Sequence, residues 1–171
     1  RYPRSDVPEP LPTAPPFVLG HSWTLREGGD AIILAYGASV SDALDAADLL
    51  AADGILIRVV NARFANPIDR RMVTDALSLG VPVFTVEDHS ITGGFGSAVL
   101  ETAQELQLPT AHLARLGMPA DRYITHGSRA GQLAECGIDA AGIASAVRTH
   151  IGDIPTRVMP IPESQPQNTT H

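Results

Sequence analysis

The residue types that do chemistry are most concentrated between positions 85 and 101. There Glu87-Asp88-His89-Ser90 follows a short β-branched run and precedes Gly93-Gly94-Phe95-Gly96. A carboxylate pair beside a histidine is suited to proton transfer. Asp88-His89-Ser90 even contains the three residue types of a hydrolytic triad. Consecutive side chains cannot line up as nucleophile, base and orienter, however, and no Gly-x-Ser-x-Gly elbow is present. His89 is therefore expected to hydrogen-bond at an interface, and His126, in a turn before Gly127, to do the same.

The glycines admit a second chemistry. Gly94-Phe-Gly96 has the outline of a dinucleotide fingerprint but lacks the third glycine, follows the third parallel strand, and has no acidic residue about 20 positions on. A helix beginning at Gly93, Gly94 and Gly96 would still offer free backbone N–H groups to an anion. Glu87 and Asp88 would repel a phosphate there, so a docking arginine is the expected guest. Arg63, just past a strand end, is expected to pair bidentately with a carboxylate such as Glu87. The same loop has an architectural reading, because strand-to-helix transitions need glycine and polar residues in any case.

Composition narrows the classes. Net charge is −7 and charged residues are 18% of the chain, against about 25% in ordinary soluble domains. That argues against a nucleic-acid or anionic-membrane partner, and a surface short of charge implies cover by another domain or subunit. All twelve basic residues are arginine, which excludes a Schiff-base enzyme and a lysine-bearing phosphate loop. Cys136 has no disulfide partner and no ligand-spaced Cys/His neighbour, so no metal site is expected. No apolar run approaches 18 residues. The chain opens at Arg1 in mid-motif and is expected to be a piece of a longer cytoplasmic protein.

These residues need elements to hold them. Residues 1–16, with six prolines, read as an extended linker from a preceding domain. Residues 17–25 predict a short edge strand, and Ala31–Tyr36 and Ile55–Val60 predict buried parallel strands. A helix from Ser39 to a stop at Gly54 separates the last two. Asn66-Pro67 is expected to cap the next helix, which buries Ile68, Met72, Ala76 and Leu77 up to Gly80. A third strand turns polar at Glu87 and leads into a helix from about Phe95 to Leu106. Ala111–Leu116 predicts the last strand, and helices follow over Arg129–Glu135 and after Asp139. Residues 153–171 read as a mobile tail. Regular strand–helix alternation predicts a three-layer α/β/α domain over 17–152, built on right-handed crossovers.

Six segments in this order carry a family resemblance. They are Arg-Tyr-Pro-Arg at 1–4, Asn-Ala-Arg-Phe with Pro67 and Asp69, Thr85 to Glu101, Asp121-Arg-Tyr-Ile-Thr-His-Gly127, Gln132-Leu133, and Gly137-Ile-Asp-Ala-Ala-Gly-Ile143. Together they resemble the C-terminal domain of the 1-deoxy-D-xylulose-5-phosphate synthases. Transketolases and the β subunits of 2-oxo acid dehydrogenases carry similar glycine-rich segments and are the alternatives. The resemblance implies a five-stranded, mostly parallel sheet with an antiparallel edge strand. It implies a homodimeric enzyme dependent on thiamine diphosphate and magnesium, which joins a two-carbon unit from pyruvate to glyceraldehyde 3-phosphate in isoprenoid, thiamine and pyridoxal synthesis. Cofactor and proton-transfer residues would lie on preceding domains, leaving no catalytic residue in this chain. Arg4, with Arg1 second, would hold the sugar phosphate.

Overall fold

The computed structural model describes residues 14–152. Five strands and five helices follow one another as β1 (Trp23–Arg26), β2 (Ala31–Tyr36), α1 (Ser39–Ala52), β3 (Ile57–Asn61), α2 (Arg70–Ser78), β4 (Val83–Ser90), α3 (Phe95–Glu105), β5 (Leu113–Met118), α4 (Arg129–Cys136) and α5 (Ala140–Gly152). One sheet holds all five strands in the order β1-β3-β2-β4-β5. β1 runs antiparallel to β3, and every other pairing is parallel. The expected architecture is therefore present, antiparallel edge included.

Alternation along β2 explains the layers. Ala31, Ile33 and Ala35 face one side, where they pack with Ala43, Ala47 and Leu50 of α1 and Ile143 and Val147 of α5. Ile32 and Leu34 face the other, against Met72, Val73 and Leu77 of α2 and Phe95 and Val99 of α3. A strand covered on both faces needs apolar residues at every position, hence the unbroken run. The chain goes from β2 outward to β3 through α1, then returns past β2 to β4 through α2. Right-handed crossovers in opposite directions place their helices on opposite faces, as seen here. The order thus reverses between β2 and β4.

Five boundaries differ from expectation, the first being β3, which begins at Ile57 rather than Ile55 and ends at Asn61. The edge strand is only Trp23–Arg26, because the chain turns at Gly20 (φ +71°), where His21 N bonds Val18 O at 3.1 Å, and Ser22 N is taken by Asp69. Asn66-Pro67 does not cap α2: the cap is Asp69, whose Oδ1 accepts from Met72 N at 3.1 Å. β4 does not end before its acidic residues but runs through Ser90, pairing Tyr36 with Glu87 and Ser90 with Met118 across a register shift. The last strand lies two residues later than expected, after a turn in which Leu113 N bonds Thr110 O at 3.0 Å.

Helix ends follow the expected glycines. Gly54, Gly80 and Gly137 have φ of +79°, +70° and +66°, a backbone region only glycine enters without steric cost. Among the described residues no helix is long and apolar enough to cross a membrane.

Candidate functional site

At the reversal point the loops after β2 and β4 diverge, and a crevice opens beyond the carboxyl ends of the strands. This is where α/β sheets of this kind bind ligands. The crevice has a volume of about 670 Å³. Tyr36 and Phe95 stack at 5.3 Å along one wall, and Gly37, Asn66, Gly93 and Gly94 supply backbone or amide surface. Arg129 and Gln132 reach in from α4.

Glu87 decides the electrostatics of this crevice. It is 1% exposed, yet its carboxylate is fully engaged by α3. Oε2 accepts from Phe95 N at 2.7 Å and Oε1 from Gly96 N at 2.8 Å. The first N–H groups of a helix lack intrahelical partners and carry a partial positive charge. Gly94, the N-cap, has no side chain to serve them. A strand residue eight positions upstream does so instead. The expected anion site at this helix start is therefore filled by the protein's own carboxylate, and the guest is not an arginine.

The glycines make this approach possible. A Cβ on Gly94 would overlap Glu87 Oε2 and Ser90 O, and one on Gly96 would lie 2.6 Å from Thr85 Oγ1. Gly93 has φ +73° and donates its N–H to Ser97 Oγ at 3.0 Å.

An arginine does dock nearby, on the adjacent carboxylate. Arg129 Nε donates to Asp88 Oδ2 at 3.0 Å. Nη2 is also 3.0 Å from that oxygen, but its angle makes no hydrogen bond and it has no other partner among the described residues. The pair is one hydrogen bond reinforced by charge contact. It joins β4 to the start of α4, whose own cap is Ser128 Oγ accepting from Gly131 N. Behind it, burial raises the Asp42 carboxyl above its ordinary 3.8; Arg129 opposes this, while Asp45, Asp139 and Asp88 add to it.

Arg63 is not paired with Glu87. Its guanidinium bonds to Pro15 O and Pro16 O and lies over the rings of Phe17 and Trp23. His89 is exposed at the crevice mouth, and His126 sits exposed in a bend outside the crevice lining. Arg1 and Arg4 lie outside the described residues. The structure thus gathers Glu87, Asp88, His89, Gly93 and Gly94 at the crevice, with Gly96 bonded to Glu87 just behind its lining, and leaves Arg63 and His126 apart. Sequence reasoning missed Tyr36, Asn66 and Arg129 as crevice residues. Arg129 comes from 41 positions beyond Asp88, and no local pattern links the two.

Neighbouring strand residues alternate in direction, so Asp88, His89 and Ser90 form no relay. Ser90 Oγ accepts from Thr92 N and Asp88 is held by Arg129. No group of His, Cys, Asp or Glu among the described residues can hold a metal ion. A diphosphate with its divalent cation does not fit: the helix start is filled and the two carboxylates repel. What lines the crevice is a satisfied carboxylate, an arginine-held carboxylate, an aromatic stack and glycine backbone.

Comparison with known proteins agrees with this geometry. Residues 20–143 match the model of the transketolase C-terminal domain. The chain is 45% identical over 125 residues to a 1-deoxy-D-xylulose-5-phosphate synthase of Geobacillus thermodenitrificans, covering 73% of this chain and 20% of that protein. It is 39% identical over 158 residues to the synthase of Rhodopirellula baltica, covering 92% and 25%. The chain therefore spans about a fifth to a quarter of the length of these relatives. Among solved structures, a split-gene transketolase described as an inactive β4 tetramer superposes with a TM-score of 0.74 at 32% identity, over 87% of this chain and 48% of that one. A Pichia stipitis transketolase shares the fold, with a TM-score of 0.59 at 23% identity over 78% and 18%.

Proposed function

We propose, from the premise that this chain belongs to the transketolase C-terminal domain family, that it is the C-terminal domain of a 1-deoxy-D-xylulose-5-phosphate synthase. The observation that carries this reading is 39% identity to such a synthase over 92% of the chain. In the whole cytoplasmic enzyme, pyruvate and glyceraldehyde 3-phosphate would combine with loss of carbon dioxide, on thiamine diphosphate and magnesium held by preceding domains. When bound there, the cofactor supplies a stabilised carbanion equivalent. This chain's own work is to pack on those domains, to contribute to a homodimer, and to close one wall near the active site. Arg4 and Arg1 would reach the sugar phosphate, for which a guanidinium fork is the fitting partner.

The acidic crevice supports a packing role. Its strongest anion position is already satisfied internally by Glu87, so nothing in it would attract a diphosphate. Calorimetric titration of the 171-residue chain with thiamine diphosphate plus magnesium should give no saturable heat at micromolar concentration. Such a heat, or turnover by the chain alone, would overturn the reading. A transketolase is the second reading, favoured by the 32% identity to the split-gene transketolase. A polypeptide carrying this domain and its upstream domains decides by substrate: pyruvate consumption supports the synthase, and two-carbon transfer between sugar phosphates supports the transketolase.

A further inference from the structure

Arg63 makes contacts that neither the crevice nor the core requires. Its backbone is left-handed, φ +59°, a region that non-glycine residues seldom enter. Its N–H is tied back to Asn61 Oδ1 at 2.9 Å. From this turn the side chain reaches the amino-terminal strap. Nη1 donates to Pro16 O at 3.2 Å and Nη2 to Pro15 O at 3.0 Å. The guanidinium carbon lies 4.5 Å from the Phe17 ring centroid and 5.2 Å from that of Trp23. Nε is buried without a partner among the described residues. A planar fork that bridges two carbonyls while stacking on two rings is work only arginine can do.

The strap is held with its apolar side chains outward. Phe17 is 76% exposed and Leu19 69%, with Val18 between them. Residues 14–19, Ala-Pro-Pro-Phe-Val-Leu, contain no charge. Trp23 pairs with Asn61 at the carboxyl end of β3, so the strap crosses the same sheet edge as the crevice. A separate anchor holds the chain just downstream. Ser22 donates through both N and Oγ to Asp69 Oδ2, each at 2.8 Å.

We propose that Arg63 is a positioning residue: it clamps the 15–19 strap so that Phe17, Val18 and Leu19 form a docking patch for the part of the polypeptide that precedes this domain in the full-length relatives. The occupant follows from continuity. The strap leads directly into residues 1–13, so anything upstream is tethered to this edge, and a tethered surface has a high effective concentration at a neighbouring patch. This inference rests on the reading under Proposed function that other domains come first.

Amide hydrogen exchange tests both halves. In the 171-residue chain, Arg63→Gly keeps the left-handed turn but loses the fork, and Arg63→Lys keeps the charge but not its geometry. In both variants the amide of His21, which donates to Val18 O at 3.1 Å within the strap, should exchange at least tenfold faster, with those of Ser22 and β3 unchanged. No change at His21 in Arg63→Gly would overturn the clamp. So would equal acceleration throughout β3, which marks a merely structural residue. In a polypeptide that includes the upstream domains, Phe17–Leu19 should exchange at least tenfold more slowly than in the short chain. Equal rates in a polypeptide with synthase activity would overturn the docking alone. Absence of synthase activity would overturn the functional reading instead.

Discussion

Removing the charge of Glu87 should destabilise the domain by more than most single substitutions. The carboxylate accepts two backbone N–H bonds, 2.7 and 2.8 Å long, at the start of α3. A hydrogen bond to a charged group contributes about 1.5–3 kcal/mol, so two contribute about 3–6 kcal/mol. Glu87→Gln preserves shape while leaving one oxygen to accept and turning an NH₂ against the other N–H. Relief of carboxylate desolvation offsets part of the loss, and a net cost of about 2–4 kcal/mol is expected. Urea denaturation followed by circular dichroism reads this directly. With a slope of about 1–3 kcal/mol per molar, the midpoint should fall by roughly 1–2 M at unchanged slope. Glu87→Asp, one methylene short of reaching both donors, should lie between wild type and Gln. A Gln variant within about 0.5 kcal/mol of wild type, the range of ordinary surface changes, would refute the idea that this side chain completes the helix start.

Gly94→Ala should fail to fold or lose several degrees of melting temperature, since the new methyl overlaps Glu87 Oε2 and Ser90 O; combining it with Glu87→Ala should recover part of that loss, and strictly additive effects would count against the contact. The Asp69 and Asp42 carboxyls should respond to acid with opposite signs. Burial penalises the charged Asp69, but hydrogen bonds from Ser22 N, Met72 N, Ser22 Oγ and Arg71 N outweigh it and hold the carboxyl below its ordinary 3.8. Its stabilisation is then full above pH 3.8 and lost as pH falls through the lower folded value, so Asp69→Asn should cost stability at pH 7 and little in strong acid. Asp42, raised by burial, is stabilising only once protonated, so Asp42→Asn should be neutral or favourable at pH 7; a clear loss there would mean its charge is used. Arg148 and Asp53, both about half exposed at 2.6 Å, should couple by about 1 kcal/mol or less in a double-mutant cycle.

What could be read in advance depended on how local each cause is. The strand β2 announces itself as an unbroken apolar run because both faces of the sheet are covered, β4 only through its first half, Val83 to Val86, and Gly54, Gly80 and Gly137 mark helix ends because their backbone geometry disfavours side chains. Layering and the fold class follow from those signals alone. The functional edge does not. Glu87 serves a helix that begins eight residues later, beyond the reach of a capping-box pattern, so from sequence its carboxylate reads as open to Arg63. Arg63 was drawn to two proline carbonyls 47 and 48 positions away, and Asp88 to Arg129. Such pairings depend on strand order and on which face each side chain takes. The crevice itself exists only because the chain reverses direction across the sheet between β2 and β4. Short-range preferences choose the elements of this domain, and long-range packing assigns each carboxylate its partner.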